Sequence, residues 1–234
     1  PVLLVTAGSQ EASRLATGLG FFAGGGLPVR VFPGHETLPY DPFSPHPDLV
    51  SQRLETLSAL PELRRGAVVV SLDALAQRLP PRRYVAAHTL SLTRGQRLDL
   101  AAFRQRLAEA GYAQVGQVMA HGEFAVRGSV LDLFPMGSET PLRLDLFDED
   151  VESIRRFDPE SQRSGDAEER VRLLPAREFP TTPEAVKGFR QRWRARFEGD
   201  PMRSPVYRFV SEGLAPAGIE AWLPLFFDGI ATLF

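Results

Sequence analysis

The chain has 234 residues, 43% of them hydrophobic and 24% charged, a balance that excludes wholesale disorder and suits one or two domains. Its formal net charge of −2 excludes a general nucleic-acid coat, so any contact with nucleic acid has to be local. The absence of cysteine excludes disulfides, thiolate metal sites and cysteine nucleophiles, and leans towards a cytosolic setting.

Residues 1–88 read as α/β. Val2–Val5 is a continuous apolar run that suits a strand buried on both faces. Ser9 is placed to cap a helix running to about Gly18. Gly24–Gly26 is a loop, and Val29–Phe32 a second strand. Asp48 is placed to cap a helix carrying Leu49, Arg53, Leu54, Leu57 and Leu60. Ala67–Val70 is a third buried strand, followed by a helix with Leu75 and Leu79. Strands alternating with helices predict a parallel sheet.

Residues 89–175 change character. Leu90–Leu92 suits a strand, and Asp99 caps a helix over Leu100–Ala110 that Gly111 ends. Period-two strands follow at Ser129–Phe134, Leu142–Phe147, Val151–Phe157 and Val171–Leu174, with Asp148-Glu149-Asp150 as a hairpin turn. This predicts an inserted α+β unit with a mainly antiparallel sheet. It holds 11 basic and 15 acidic residues, against 8 and 7 in each flanking part, so the excess negative charge lies here.

Residues 176–234 begin as a helix, with Thr181 and Glu184 spaced as a capping box and Pro183 in the first turn. Val186, Phe189, Trp193 and Phe197 form an apolar stripe. Around it lie Lys187, Arg190, Arg192, Arg194 and Arg196. Arginine beside aromatics suits nucleic-acid contact, with Lys187, Arg190 and Arg194 as the candidates. The helical spacing of the aromatics favours instead an amphipathic helix with a solvated basic face. Trp193 is expected to pack against the first 88 residues, so that 89–175 is inserted between two segments sharing one core.

Several chemistries find no support. A phosphate-binding loop needs G-x-x-x-x-G-K-[ST], and Lys187, the single lysine against 26 arginines, is followed by Gly188. No cofactor is expected. His35, His46, His88 and His121 have no metal-ligand spacing, Asp148–Asp150 reads as a solvated turn, and no metal or catalytic site is expected. No G-x-S-x-G elbow occurs. The apolar runs are too short to cross a membrane, and no signal peptide opens the chain. Pro1 stands where an initiator methionine would, which suggests a piece of a longer protein.

The strand Leu142–Phe147 is more informative. Alternation puts Leu142, Leu144 and Leu146 on one face and Arg143, Asp145 and Phe147 on the other. With the leucines in a core, an arginine and a phenylalanine stand in water, residue types expected at binding hot spots. The alternative is a second layer covering that face. Arg127, before the preceding strand, is a candidate neighbour.

The stretch His121–Glu139, continued by Pro141–Asp148, resembles the bacterial transcription-repair coupling factors. So do Glu36–His46 and Pro216–Glu220. A shorter core, Arg127-Gly128 with Asp132 and the Pro135 turn, is shared with the excinuclease subunit UvrB. The resemblance implies a UvrB-like module of a longer DNA translocase: domain 1a at 1–88, an inserted UvrA-interaction domain 2 at 89–175, and part of domain 1b at 176–234. The parallel sheet would then be a RecA/UvrB-like domain 1 remnant. It implies a non-catalytic, cytoplasmic adaptor that binds UvrA through Arg127, Arg143 and Phe147. RNA polymerase and DNA would be engaged by other parts of the longer protein. Two rivals are a UvrB-type ATPase subunit and a DNA-binding module on the basic helix. UvrB's DNA-clamping hairpin has no room here, since seven residues separate Tyr40 from Asp48.

Overall fold

Three apolar strands near the start of the chain pair in parallel, because helical segments separate them. The computed structural model describes residues 1–233. Strand β1 (Val2–Thr6) leads to helix α1 (Ser9–Ala23), then to β2 (Val29–Phe32), α2 (Pro47–Ala59) and β3 (Ala67–Ser71). The sheet order is β1-β3-β2, so β3 is central and every one of its residues is buried. Strand β1 is at the edge and departs from the expectation of two buried faces: Val2, Leu3 and Val5 are exposed. Helix α1 runs past Gly18 to Ala23 and stops at Gly24, whose left-handed backbone (φ 54°) is open to glycine at little cost. Helix α2 is capped by His46 rather than Asp48. The His46 ring accepts from the Asp48 N–H, and Pro47 takes the first helical position.

Short helices α3 (Leu72–Leu75) and α4 (Arg83–Ala87) lead to β4 (Leu90–Thr93) and α5 (Leu100–Glu109). Asp99 caps α5, accepting from the N–H groups of Ala101 and Ala102. Then come β5 (Ala113–Gln114), β6 (Glu123–Arg127), β7 (Val130–Leu133), β8 (Leu142–Phe147), β9 (Asp150–Phe157) and β10 (Ser164–Ala167). They form one six-stranded sheet, ordered β10-β9-β8-β7-β6-β5 and antiparallel except between β5 and β6. Strand β11 (Arg170–Leu173) does not join it but pairs with β4. One face of the large sheet, with Phe124, Leu131, Leu133, Leu142, Leu144, Leu146, Val151 and Ile154, makes a core with Phe103 and Leu107 of α5. Leu54 of α2 and Tyr84 and Val85 of α4 belong to the same core.

The last part holds α6 (Pro183–Arg196), α7 (Pro205–Ser211) and a 3-10 segment over Ile219–Phe226. Thr182, one residue later than expected, caps α6 by accepting from the Ala185 N–H. Trp193 packs within this part, against Phe197, Tyr207 and Trp222, and not on the first 88 residues as expected. The return to the first sheet is made instead by Ala231 and Leu233, with Leu79 and Ala231 exchanging backbone hydrogen bonds of 3.0 and 2.9 Å. Tyr40 also meets Trp222. Gly218 lies against the Asp41 carbonyl at φ 77°, where a Cβ would come within 2.0 Å of the oxygen. The Gly218 N–H donates to Ser44 Oγ, which donates in turn to Glu220. The sequence stretches 36–46 and 216–220 therefore touch.

A buried ion pair crosses these parts. Arg53 of α2 is fully buried and donates to Glu178 at 2.6 and 3.2 Å. Its Nη1 donates to the Pro33 carbonyl at 2.7 Å and to Gln77 at 2.8 Å, and its guanidinium lies over Phe32. His35 Nε2 sits 3.3 Å from the same carboxylate. Burial alone would push the Glu178 carboxyl up. The charge of Arg53 and the hydrogen bond and charge of His35 outweigh it and hold it down at about 2.

Glu178→Gln leaves Arg53 buried without its counter-charge and should cost roughly 3–5 kcal/mol in urea denaturation at pH 7. The folded pKa lies below the ordinary 4.5, so this stabilisation is complete above about pH 4.5 and fades as pH falls towards 2. The gap between wild type and variant should narrow across that window. A gap constant from pH 7 to 3 would contradict the pairing.

Candidate partner-binding site

The second face of the six-stranded sheet is not a uniform surface. At one end Phe134 and Phe157 pack with Val118 and Ala125. Towards the other end the cover stops and side chains reach water. Register fixes the neighbours: Ala125, Asp132, Arg143 and Arg155 lie in one cross-strand row, and Arg127, Val130, Asp145 and Ser153 in the next. Beyond that row Phe147 pairs with Asp150 across a two-residue turn in which Asp148 is left-handed (φ 57°).

Asp132 organises the face. It is 1% exposed, and a carboxylate so placed needs a cation. Arg143 supplies a bidentate pair, Nε to Oδ1 at 2.7 Å and Nη2 to Oδ2 at 2.9 Å. Arg127 donates to Oδ2 from the neighbouring strand. Arg143 also donates to the backbone and side-chain oxygens of Gln162 at 3.1 and 3.2 Å, and its guanidinium stacks 4.7 Å from the Phe157 ring centre. The hydrogen bond to Asp132 raises the Arg143 pKa above its ordinary value. Gln162 reaches this position from a left-handed backbone (φ 60°), in a turn that Asp158 braces by accepting from the Ser161 N–H.

The three sequence-selected residues thus occupy one end of one face, in different states. Phe147 is 74% exposed. The Arg127 side chain is 52% exposed. Arg143 is not free in water: its side chain is 17% exposed, because Asp132, Gln162 and Phe157 surround it. The tip of the β6–β7 hairpin lies beside Phe147, since the Ser129 carbonyl accepts from the Leu146 N–H at 2.9 Å. Sequence reasoning did not single out Gln162, Phe157 or Arg155, nor the anchoring part of Asp132. A signal for Asp132 existed, a lone carboxylate in the apolar strand Val130–Leu133.

The basic helix candidates lie elsewhere. Lys187, Arg190 and Arg194 are exposed on α6, while Phe189 and Trp193 are buried. Arg194 lies over the Tyr207 ring, and Arg192 is tied to the Leu225 carbonyl and Asp228. Among the described residues no group of His, Cys, Asp and Glu is placed to hold a metal ion. No described helix is long and apolar enough to cross a membrane.

This sheet and its flanking segments coincide with a known domain type. Residues 90–179 match the family model of the UvrB interaction domain. Over nearly its whole length the chain also resembles transcription-repair-coupling factors. It is 48% identical over 228 residues to that of Escherichia coli, covering 97% of this chain and 20% of that protein. It is 44% identical over 234 residues to that of Haemophilus influenzae, and 37% over 247 to that of Myxococcus xanthus, in each case again across 20% of the relative. The chain is homologous to the transcription-repair-coupling factor family and spans about a fifth of those relatives' length.

The burial pattern separates folding from display. Arg143→Ala strands Asp132 with Arg127 alone and should cost ~3 kcal/mol. Leu144→Ala, in the core, should cost ~2–5 kcal/mol. Phe147→Ala should stay within ~0.5 kcal/mol of wild type. Urea midpoints compare all three, and a wild-type midpoint for Arg143→Ala would contradict the anchoring role given to Asp132.

Proposed function

We propose that this chain is a non-catalytic docking adaptor. Its six-stranded sheet offers the face carrying Arg127, Arg143 and Phe147 to UvrA, and so brings nucleotide excision repair to a stalled RNA polymerase in the bacterial cytoplasm. The observation that carries the reading is an exposed phenylalanine beside arginines locked by a buried carboxylate, within the segment matched to the UvrB interaction domain. Rigid aromatic and arginine side chains are the usual anchors of a protein interface. Residues 89–175 act as the UvrA-binding unit, inserted in a UvrB-like domain 1 remnant formed by 1–88 and 176–234. Engagement of RNA polymerase and DNA, and ATP-driven translocation, belong to other parts of the longer protein.

The chain itself needs no nucleotide or other cofactor on this reading. It has no G-K-[ST] phosphate loop, so calorimetry with ATP should give no binding heat. Stoichiometric ATP binding would favour the excinuclease-type ATPase instead. Salt-dependent retention of random duplex DNA, lost on changing Lys187, Arg190 and Arg194, would favour the basic helix.

The direct test is titration of the chain with UvrA. Phe147→Ala should weaken binding about thirtyfold, the ~2 kcal/mol usual for a central anchor. Arg127→Glu should weaken it further against an acidic partner surface, since it adds repulsion. Undiminished binding by both folded variants would place the interface elsewhere.

A further inference from the structure

The row that holds Asp132 and Arg143 contains one more arginine. Arg155 pairs in register with Arg143 on the same face of the sheet, one strand further out. Adjacent strands lie ~4.8 Å apart, so two guanidinium-bearing side chains share a short stretch of surface. Like charges directly opposite each other destabilise a sheet. Asp132 pairs with Arg143 but is shared with Arg127, so positive charge remains beside Arg155. Arg155 is exposed and, among the described residues, makes no side-chain hydrogen bond, ion pair or ring contact.

Its lack of a partner is not a shortage of acids. Arg156, the next residue, points to the opposite face and is paired with Glu168 at 2.6 Å. Asp145, diagonal to Arg155, is engaged by the Ser153 hydroxyl at 2.7 Å. The unit around it carries more acidic than basic residues, 15 against 11. Arg106, Arg163 and Arg170 of this unit are likewise exposed and without such a partner, but Arg155 differs from them in standing directly opposite Arg143, in the row that Asp132 organises.

We propose that Arg155 is a further contact residue of the docking face, positioned to pair with a carboxylate on the protein partner and to help set specificity for it. The proposal rests on the UvrA reading above. Charge complementarity selects the occupant. A nucleic-acid backbone approaching Arg155 would also meet Asp145, Glu152 and the Asp148–Asp150 turn, whereas a folded partner can match each sign in turn. Pairing with the partner also relieves the repulsion between Arg155 and Arg143, so the contact gains on complex formation what it lacks in the free chain.

The test uses the 234-residue chain with Arg155→Ala, Arg155→Glu and Arg155→Lys, titrated with UvrA at two salt concentrations. Arg106→Glu, exposed on α5 against the other face of the sheet, is the charge control. Thermal melts accompany each variant. Arg155→Ala should bind about tenfold more weakly with a shallower salt dependence. Arg155→Glu should be weaker still, Arg155→Lys intermediate and Arg106→Glu unchanged. Melting temperatures of the Arg155 variants should equal or exceed wild type. Wild-type binding by Arg155→Glu while Phe147→Ala fails would overturn this inference and leave the docking reading intact. Wild-type binding by both would overturn the reading itself. A lowered melting temperature for Arg155→Ala would make Arg155 a structural residue and overturn the proposal. So would loss of duplex-DNA binding in place of UvrA binding.

Discussion

The arrangement of this protein depends on a charge that has no water around it. Arg53 is fully buried in the middle of α2, and each of its donors has to be met by protein. Glu178 meets two of them, and Pro33 and Gln77 two more. These groups come from four separate stretches of chain, so satisfying one guanidinium fixes α2, the loop after β2, the turn after α3 and the segment after β11 against one another. Leu54, the next residue on α2, enters the core under the six-stranded sheet. One helix therefore anchors the ion pair and supplies apolar cover for the sheet. The face of the sheet turned towards α2 is thereby committed to the core, and the face bearing Arg127, Arg143 and Phe147 is turned away from it.

The same chemistry recurs on that outer face with a different outcome. Asp132 is as buried as Glu178 and is likewise met by arginine. The difference lies in where the cations end. Arg53 ends inside the molecule. Arg127 and Arg143 approach Asp132 from the solvent side and keep an edge in water. A buried carboxylate thus holds two guanidinium groups in set orientations at a surface. Side chains already ordered before binding lose less entropy on association, which is the physical value of such an anchor to an interface.

What the sequence made legible follows from how local each cause is. The three parallel strands, α5 with its Asp99 cap, the leucine face of β8 and the β8–β9 turn all follow from patterns within a dozen residues. The edge position of β1 does not: an apolar run reads as buried whether or not anything covers it. Cap positions shifted by one or two residues because Pro47 and Pro183 claim the first helical position and pass the cap to His46 and Thr182. Trp193 was legible as buried but not as to its partners, since Tyr207 and Trp222 are brought to it by the fold alone. On the outer face of the sheet, alternation located Arg143 but could not show its burial. Gln162 and Phe157, which cover it, come from a turn and a strand end with no pattern linking them to β8.

Exposure by itself does not distinguish Phe147. Phe21, Phe22, Leu38, Tyr40 and Phe43 are also largely exposed. Exposed apolar side chains are ordinary on a protein surface. Phe147 differs in its frame. It occupies the last paired rung of β8, where Asp148 turns the chain in a left-handed conformation. The hydrogen bond from the Leu146 N–H to Ser129 brings the Arg127 hairpin alongside. Asp132 then fixes Arg127 and Arg143 on the same face. An aromatic ring at the rim of the sheet, beside guanidinium groups tied to one buried carboxylate, is a preformed surface. Its shape comes from register and one buried carboxylate, so a partner can engage it without first ordering a loop.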